Sequence, residues 1–210
     1  MYRPPAFRDD DPASLHATIR AARTGNLITS TAAGLMATPL PLMLDETTGP
    51  HGVLIGHVAK ANPHWSAAPI GEALVIFMGP DAYVSPSWYA TKAESGKVVP
   101  TWNYVTVHAH GPVEFFDDTE RLLAVVSRLT DHHEESRSHP WKVSDAPDLY
   151  VQSQLRGIVG VQITITRLEG KRKLSQNRNA ADREGVISGL SGSSLQTDLE
   201  VAGLMRNSQS

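Results

Sequence analysis

Cysteine is absent from this chain. That excludes a disulfide framework, thiolate chemistry and any cysteine-based zinc site. No window approaches the roughly 20 apolar residues of a membrane helix. The first residues, MYRPPAFRDDDP, have no apolar core of the kind a secretory signal carries. There is no G-x-G-x-x-G after a strand and no G-x-x-x-x-G-K-[ST], so neither a dinucleotide fold nor a phosphate loop is indicated. No internal repeat and no nucleophile–base motif is present. A net charge of −3 and a pI near 6.3 argue against a protein built around a large basic DNA-binding face, though not against a local basic patch. These absences lead us to expect a cytoplasmic protein with no membrane partner.

The 210 residues suit one domain with a C-terminal appendage. Asp11-Pro12 followed by SLHATIRAAR reads as a helix, capped by Asp and stopped by Gly25. Asn26 to Ser30 and Leu35 to Leu44 flank a short Ala-Ala-Gly turn and read as a hairpin. Within it Pro39 and Pro41 call for an edge or a bulge. Val53 to Ala59, Ala73 to Met78, Ala82 to Ser85 and Tyr104 to Phe116 are further strands. Asp117 to Thr130 is the clearest helix, with Asp117 and Glu120 as a capping-box-like start. A shorter helix covers Pro147 to Leu155, and a strand covers Ile158 to Leu168. After Arg178 the chain is rich in Ser and Gly, with a weak helix near Leu195 to Arg206. Many short strands with a few helices point to an α+β barrel.

One tract stands out for its chemistry. GKRKLSQNR, Gly170 to Arg178, sets cations side by side and then short hydrogen-bonding side chains, and it reads as a tip beyond a strand. Such a tip is a seat for a phosphate or a planar heterocycle edge, or simply a solvated basic loop. His108 and His110 share one strand face, as a metal pair would. No third ligand is set by the sequence, so we read them as structural and expect no metal site. Asp131 to Glu135 reads as a helix end.

Three more tracts accompany GKRKLSQNR: GHVAKANP (Gly56 to Pro63), GPDAYVSPSWY (Gly79 to Tyr89) and VPTWNY (Val99 to Tyr104). Together, in this order, they resemble the PaiB family, known as FMN-binding negative transcriptional regulators with a split-barrel fold. The resemblance begins at Met1-Tyr2-Arg3-Pro4 and Phe7. It runs through Leu129-Thr130, His133-Glu134 and Trp141 to Lys173–Arg178. One departure is clear: Ala37-Thr38-Pro39-Leu40-Pro41 has proline where the family pattern has histidine.

The resemblance implies an FMN-binding split β-barrel with a few peripheral helices over residues 1–170, and a basic, helical extension of the same domain over 171–210. FMN needs cations for its phosphate, donors for the ring edge and a flat wall against the ring. The resemblance implies that Lys60 meets the phosphate. His57 and Asn62 flank it, and His57 reads equally as a core histidine. Thr29 and Ser30, at a strand end, suit ring or phosphate oxygens, or else turn amides. Trp102 and Asn103 suit ring stacking and an amide contact, or else core packing. Lys173, Gln176 and Asn177 complete the candidates. No catalytic residue stands out. The expected assembly is a homodimer, with DNA as a second partner to be weighed. The alternative is a flavin-dependent oxidoreductase or flavin reductase on the same fold.

Overall fold

The computed structural model describes residues 1–208, which group into two compact units. The first unit holds Met1–Thr18, Met78–Val107 and the chain from Glu169 onward; the second holds Ile19–Phe77 and His108–Leu168. In chain order the elements begin β1 (Arg8–Asp9), α1 (Pro12–Ala22), β2 (Thr24–Thr31), β3 (Gly34–Pro41), β4 (Met43–Asp45) and β5 (Val53–Ala59). Next come β6 (Ala73–Val84), α2 (Thr91–Ser95), β7 (Thr101–Gly111), β8 (Val113–Phe116) and α3 (Thr119–Glu134). The chain closes with α4 (Asp148–Leu155), β9 (Ile158–Thr164), β10 (Arg167–Lys173), α5 (Ala180–Ser191) and α6 (Gln196–Asn207).

The first unit's strands run in the order β1-β10-β7-β6. Alternation along β6 and β7 buries Ala82, Val84 and Val105 on one face, where they join Val186, Ile187, Leu190, Val201 and Met205 of α5 and α6. Helix α5 was not expected from its sequence. Gly185 and Gly189 lower helix propensity. Both are needed here, because a Cβ on either would lie within 2.4 Å of Trp88 atoms. Asn179 caps the helix by accepting from the Asp182 amide at 2.8 Å.

In the second unit β6 continues beside β2 and β3, and a separate sheet runs β4-β5-β9-β8. The β2–β3 hairpin pairs Thr24 with Pro41 and Thr31 with Gly34, and β3 ends its sheet, so Pro39 and Pro41 lie on an edge strand as expected. Gly25 does not stop α1. The helix ends before Arg23, which takes φ +58°, and Gly25 is buried within β2, where a Cβ would lie 2.7 Å from Val75. Asp118, not Asp117, caps α3, accepting from the Arg121 amide at 2.8 Å. Leu122 and Val125 of α3 then pack with Val53, Ile55, Phe116 and Leu155.

The expected strand Tyr104–Phe116 is two strands. Pro112 separates β7 from β8, and the chain passes there from one sheet to the other. Conversely, Ala73–Met78 and Ala82–Ser85 are one strand, β6, which runs through Gly79-Pro80.

Gly160 of β9 sits under the Phe116 ring, and a Cβ there would lie 2.3 Å from ring carbons. Gly160→Ala should therefore destabilise the protein by about 1–3 kcal/mol through overpacking. A urea titration reads this as a lower midpoint; an unchanged midpoint would mean that the ring moves aside freely.

Candidate functional site

The sequence-derived candidates fall into two groups, one in each unit. Thr29, Ser30, His57, Lys60 and Asn62 belong to the second unit. The core of this group is a residue that the sequence reading missed. His64 is 1% exposed, with Nε2 2.7 Å from Thr29 Oγ1 and Nδ1 2.8 Å from Thr38 Oγ1. Asn62 braces the same turn. Its Nδ2 donates to Thr38 Oγ1 at 3.3 Å, and its Oδ1 accepts from the His64 amide at 2.9 Å. A threonine hydroxyl, able to donate or to accept, faces each ring nitrogen, so both are satisfied in the neutral ring. Burial holds His64 below its ordinary pKa of 6.5, which favours that neutral ring. The signal for it was Asn62-Pro63-His64, an Asn-capped turn that points the next side chain inward.

Lys60 lies just past the end of β5 and is exposed. Its amide donates to the Gly157 carbonyl at 2.8 Å, and its carbonyl accepts from Trp65 Nε1 at 2.8 Å, so its backbone is clamped. Its ammonium is 3.5 Å from the Asp117 carboxylate, an exposed pair of little strength, about 0–1 kcal/mol. The ammonium is therefore free to turn to a stronger anion. His57 takes the other direction. Strand alternation sets it with Val53 and Ile55, the side that packs on α3, and it is outside the Thr29–Thr38–Asn62–His64 network. Burial also holds its pKa low. Ser30 points away from Thr29 and is exposed, while its carbonyl accepts from the Ile70 amide at 2.7 Å.

The other group, Trp102, Asn103, Lys173, Gln176 and Asn177, belongs to the first unit. Here the expected loop is partly a strand. Gly170 to Lys173 lie in β10, with Asp9 opposite Gly170 and Arg8 opposite Lys171. Alternation sets Lys171 and Lys173 on one face and Arg172 on the other. The turn beyond it closes on itself. Gln176 accepts from the Leu174 amide at 2.7 Å and donates to the Arg172 carbonyl at 2.6 Å. Asn103 is fully buried and exchanges hydrogen bonds with Ser175 at 3.0 and 3.2 Å. Both carboxamides are thus spent on holding the turn, whereas Asn177 is exposed. Lys173 donates to Thr101 Oγ1 at 2.7 Å and to the Trp102 carbonyl. Burial first, then the neighbouring charges of Lys171 and Arg178, lower its pKa. Trp102 is 53% exposed and meets Tyr83 edge-on, ring centres 5.8 Å apart.

A flavin phosphate finds in Lys60 a cation on a rigid backbone with only a weak partner, and a flavin ring finds flat aromatic surface at the neighbouring Trp65. The residues present fit the group.

Comparison with known proteins supports a flavin cofactor. Residues 1–167 match the family model described as "Putative FMN-binding domain", and the chain belongs to this family of flavin-binding domains. It is 32% identical over 208 residues to protease synthase and sporulation protein PAI 2 of Bacillus subtilis (strain 168), covering 99% of this chain and 97% of that one. It is also 38% identical over 187 residues to the uncharacterized protein AN0679 of Emericella nidulans, covering 74% of each chain. Among solved structures, the fold is similar to the FAD and heme binding protein of Mycobacterium smegmatis, with TM-score 0.57, 14% identity and 87% and 80% coverage of the two chains. It is similar too to the flavocytochrome Anf3 of Azotobacter vinelandii, with TM-score 0.55, 15% identity and 82% and 72% coverage. The α+β split-barrel expectation stands, and the PaiB resemblance is confirmed across nearly the whole chain. No helix among the described residues is long and apolar enough to cross a membrane.

The His64 network yields a pH signature. Its folded pKa lies below 6.5, so the folded state binds fewer protons than the unfolded chain as pH falls past that value. Stability should be full above about pH 6.5 and decline below it, with His57 adding in the same direction. Thr38→Val should cost about 1–3 kcal/mol by leaving the buried Nδ1 of His64 without its hydrogen-bond partner. Urea midpoints measured above and below about pH 6.5 read the two effects; a Thr38→Val midpoint equal to that of the parent would show that the network contributes nothing.

Proposed function

We propose that this chain is an FMN-binding negative regulator of transcription of the PaiB type, acting as a cytoplasmic homodimer. In this reading residues 1–170 form the flavin domain and residues 171–210 extend it. The observation that carries it is the match to a Bacillus subtilis PAI protein over 99% of the chain, joined to the FMN-binding family model over residues 1–167. Lys60 takes the phosphate of FMN, and the Asn62–His64 turn sets its position. Asn103 and Gln176 act by shaping their turn.

A second reading, a flavin-dependent oxidoreductase or flavin reductase, draws on the state of the cations. A regulator that grips DNA directly should offer them as an open patch. Instead Lys171 lies over the rings of Tyr2 and Tyr104, Arg178 lies over Tyr89 and Arg183 donates to Ser208. Arg172 faces the other side of β10 from Lys171. Salt-dependent binding to the promoter region of neighbouring genes and anaerobic reduction of the FMN-loaded protein by a nicotinamide donor separate the two readings. Binding whose affinity falls steeply with salt supports regulation, with a log–log slope near −0.9 for each phosphate neutralised. Rapid reduction without DNA binding supports the enzyme.

FMN should bind with micromolar affinity or better, about −8 kcal/mol. Lys60→Ala should weaken it by about 1.5–3 kcal/mol, the worth of a hydrogen bond to a charged group. Riboflavin, which lacks the phosphate, should barely respond. Fluorescence quenching measures both, and equal losses would remove Lys60 from the phosphate site. Light scattering should give about twice the 22.8 kDa chain mass; a monomer at micromolar concentration would overturn the dimer.

A further inference from the structure

We propose that one face of the first unit's sheet binds a second ligand, a small phosphorylated aromatic molecule of the nucleotide class, with its phosphate on Lys171 and Lys173 and its base against Trp102. This goes beyond the flavin reading, which sets the FMN phosphate on Lys60. Alternation along β7 turns Asn103 and Val105 toward α5 and α6, so Trp102 and Tyr104 share the opposite face. Lys171 and Lys173 of the neighbouring β10 share that face with them. The ammonium of Lys171 lies 5.1 Å from the ring centre of Tyr104 and 5.5 Å from that of Tyr2. That of Lys173 lies 5.8 Å from the ring centre of Phe7.

Three observations point to an anion. First, Lys171 is 9% exposed, and its ammonium lies against aromatic rings rather than against a carboxylate. Rings stabilise a cation, but they leave its N–H donors open to a ligand. The acid on the same face of β10, Glu169, takes the Met1 amino group at 2.7 Å. Second, the charges near Lys173 are of like sign and partly desolvated, which weakens its hold on its proton. A phosphate would relieve both costs at once. Third, the donors are pre-aimed. Thr101 and the Trp102 carbonyl tie Lys173 down and leave its third N–H free, while Lys171 keeps all three. A lysine so tied loses little conformational freedom on binding. Beside it Trp102 is 53% exposed, and its edge-on contact with Tyr83 leaves ring surface on which a base can stack.

The test uses the FMN-saturated full chain, titrated calorimetrically with AMP, adenosine and a short DNA duplex. AMP should bind, and adenosine should bind at least about tenfold more weakly for want of the charge-assisted contacts. Lys171→Gln should weaken AMP by about tenfold or more and leave FMN affinity within about twofold, while Lys171→Arg should retain AMP. AMP and FMN should not compete. Four results would overturn the proposal. One is equal affinity for AMP and adenosine. The second is displacement of FMN by AMP together with weaker FMN in Lys171→Gln, which would make this face the flavin's own and remove Lys60 from the phosphate. The third is binding of the duplex but not of AMP. The fourth is a shift of Lys171→Gln to monomer on light scattering with no AMP bound by the parent, which would make the face a contact between copies.

Discussion

A buried polar side chain must find its hydrogen bonds inside the protein, and two such side chains shape both groups of candidate residues. His64 cannot be buried without Thr29 on one ring nitrogen and Thr38 on the other, and Asn62 joins the same cluster. Asn103 cannot be buried without Ser175. An unpaired group at either place would cost about 1–3 kcal/mol, a sizeable part of a domain's net stability. The turns at Lys60–Ser66 and Leu174–Asn177 are thus rigid, the first where it presents Lys60 and the second next to Lys173, and rigidity is what lets a lysine bind an anion at low entropic cost.

This changes how the polar residues divide. Asn62, Asn103 and Gln176 have the side chains that a flavin ring edge would call for, yet their carboxamides are committed to the protein. Lys60, Lys173 and Trp102 have groups left to offer: an ammonium with a weak partner, an N–H beyond two fixed contacts, and open ring surface. In the proposed reading, binding is carried by cations and flat rings, and the amides hold them in place.

Much of the fold was legible, because its signals are local. Strand β5 follows from its apolar run, α3 from its helical spacing and the edge position of β3 from Pro39 and Pro41. The failures have local signals overridden by long-range packing. Gly25 resembles a helix stop but is excluded from carrying a Cβ by Val75 and Phe77, residues distant in sequence. Helix α5 looks like a Ser/Gly-rich tail because its glycines make room for Trp88. GKRK resembles a loop because its charges are those of a surface, although β1 pairs with it as a strand. Among the candidate residues, Lys60 and Lys173 could be picked out from their tracts. His64 could not be weighed without Thr29 and Thr38 beside it, since a buried histidine is defined by partners that only folding brings together.

This chain belongs to a flavin-binding family, and the flavin proposed for it is FMN. The absorbance spectrum of the purified full chain, recorded before and after addition of FMN and removal of the excess, tests that proposal most directly. The account predicts retained flavin bands, shifted from those of free FMN, at a stoichiometry near one per chain. A chain that emerges folded and colourless after saturation with FMN would contradict it.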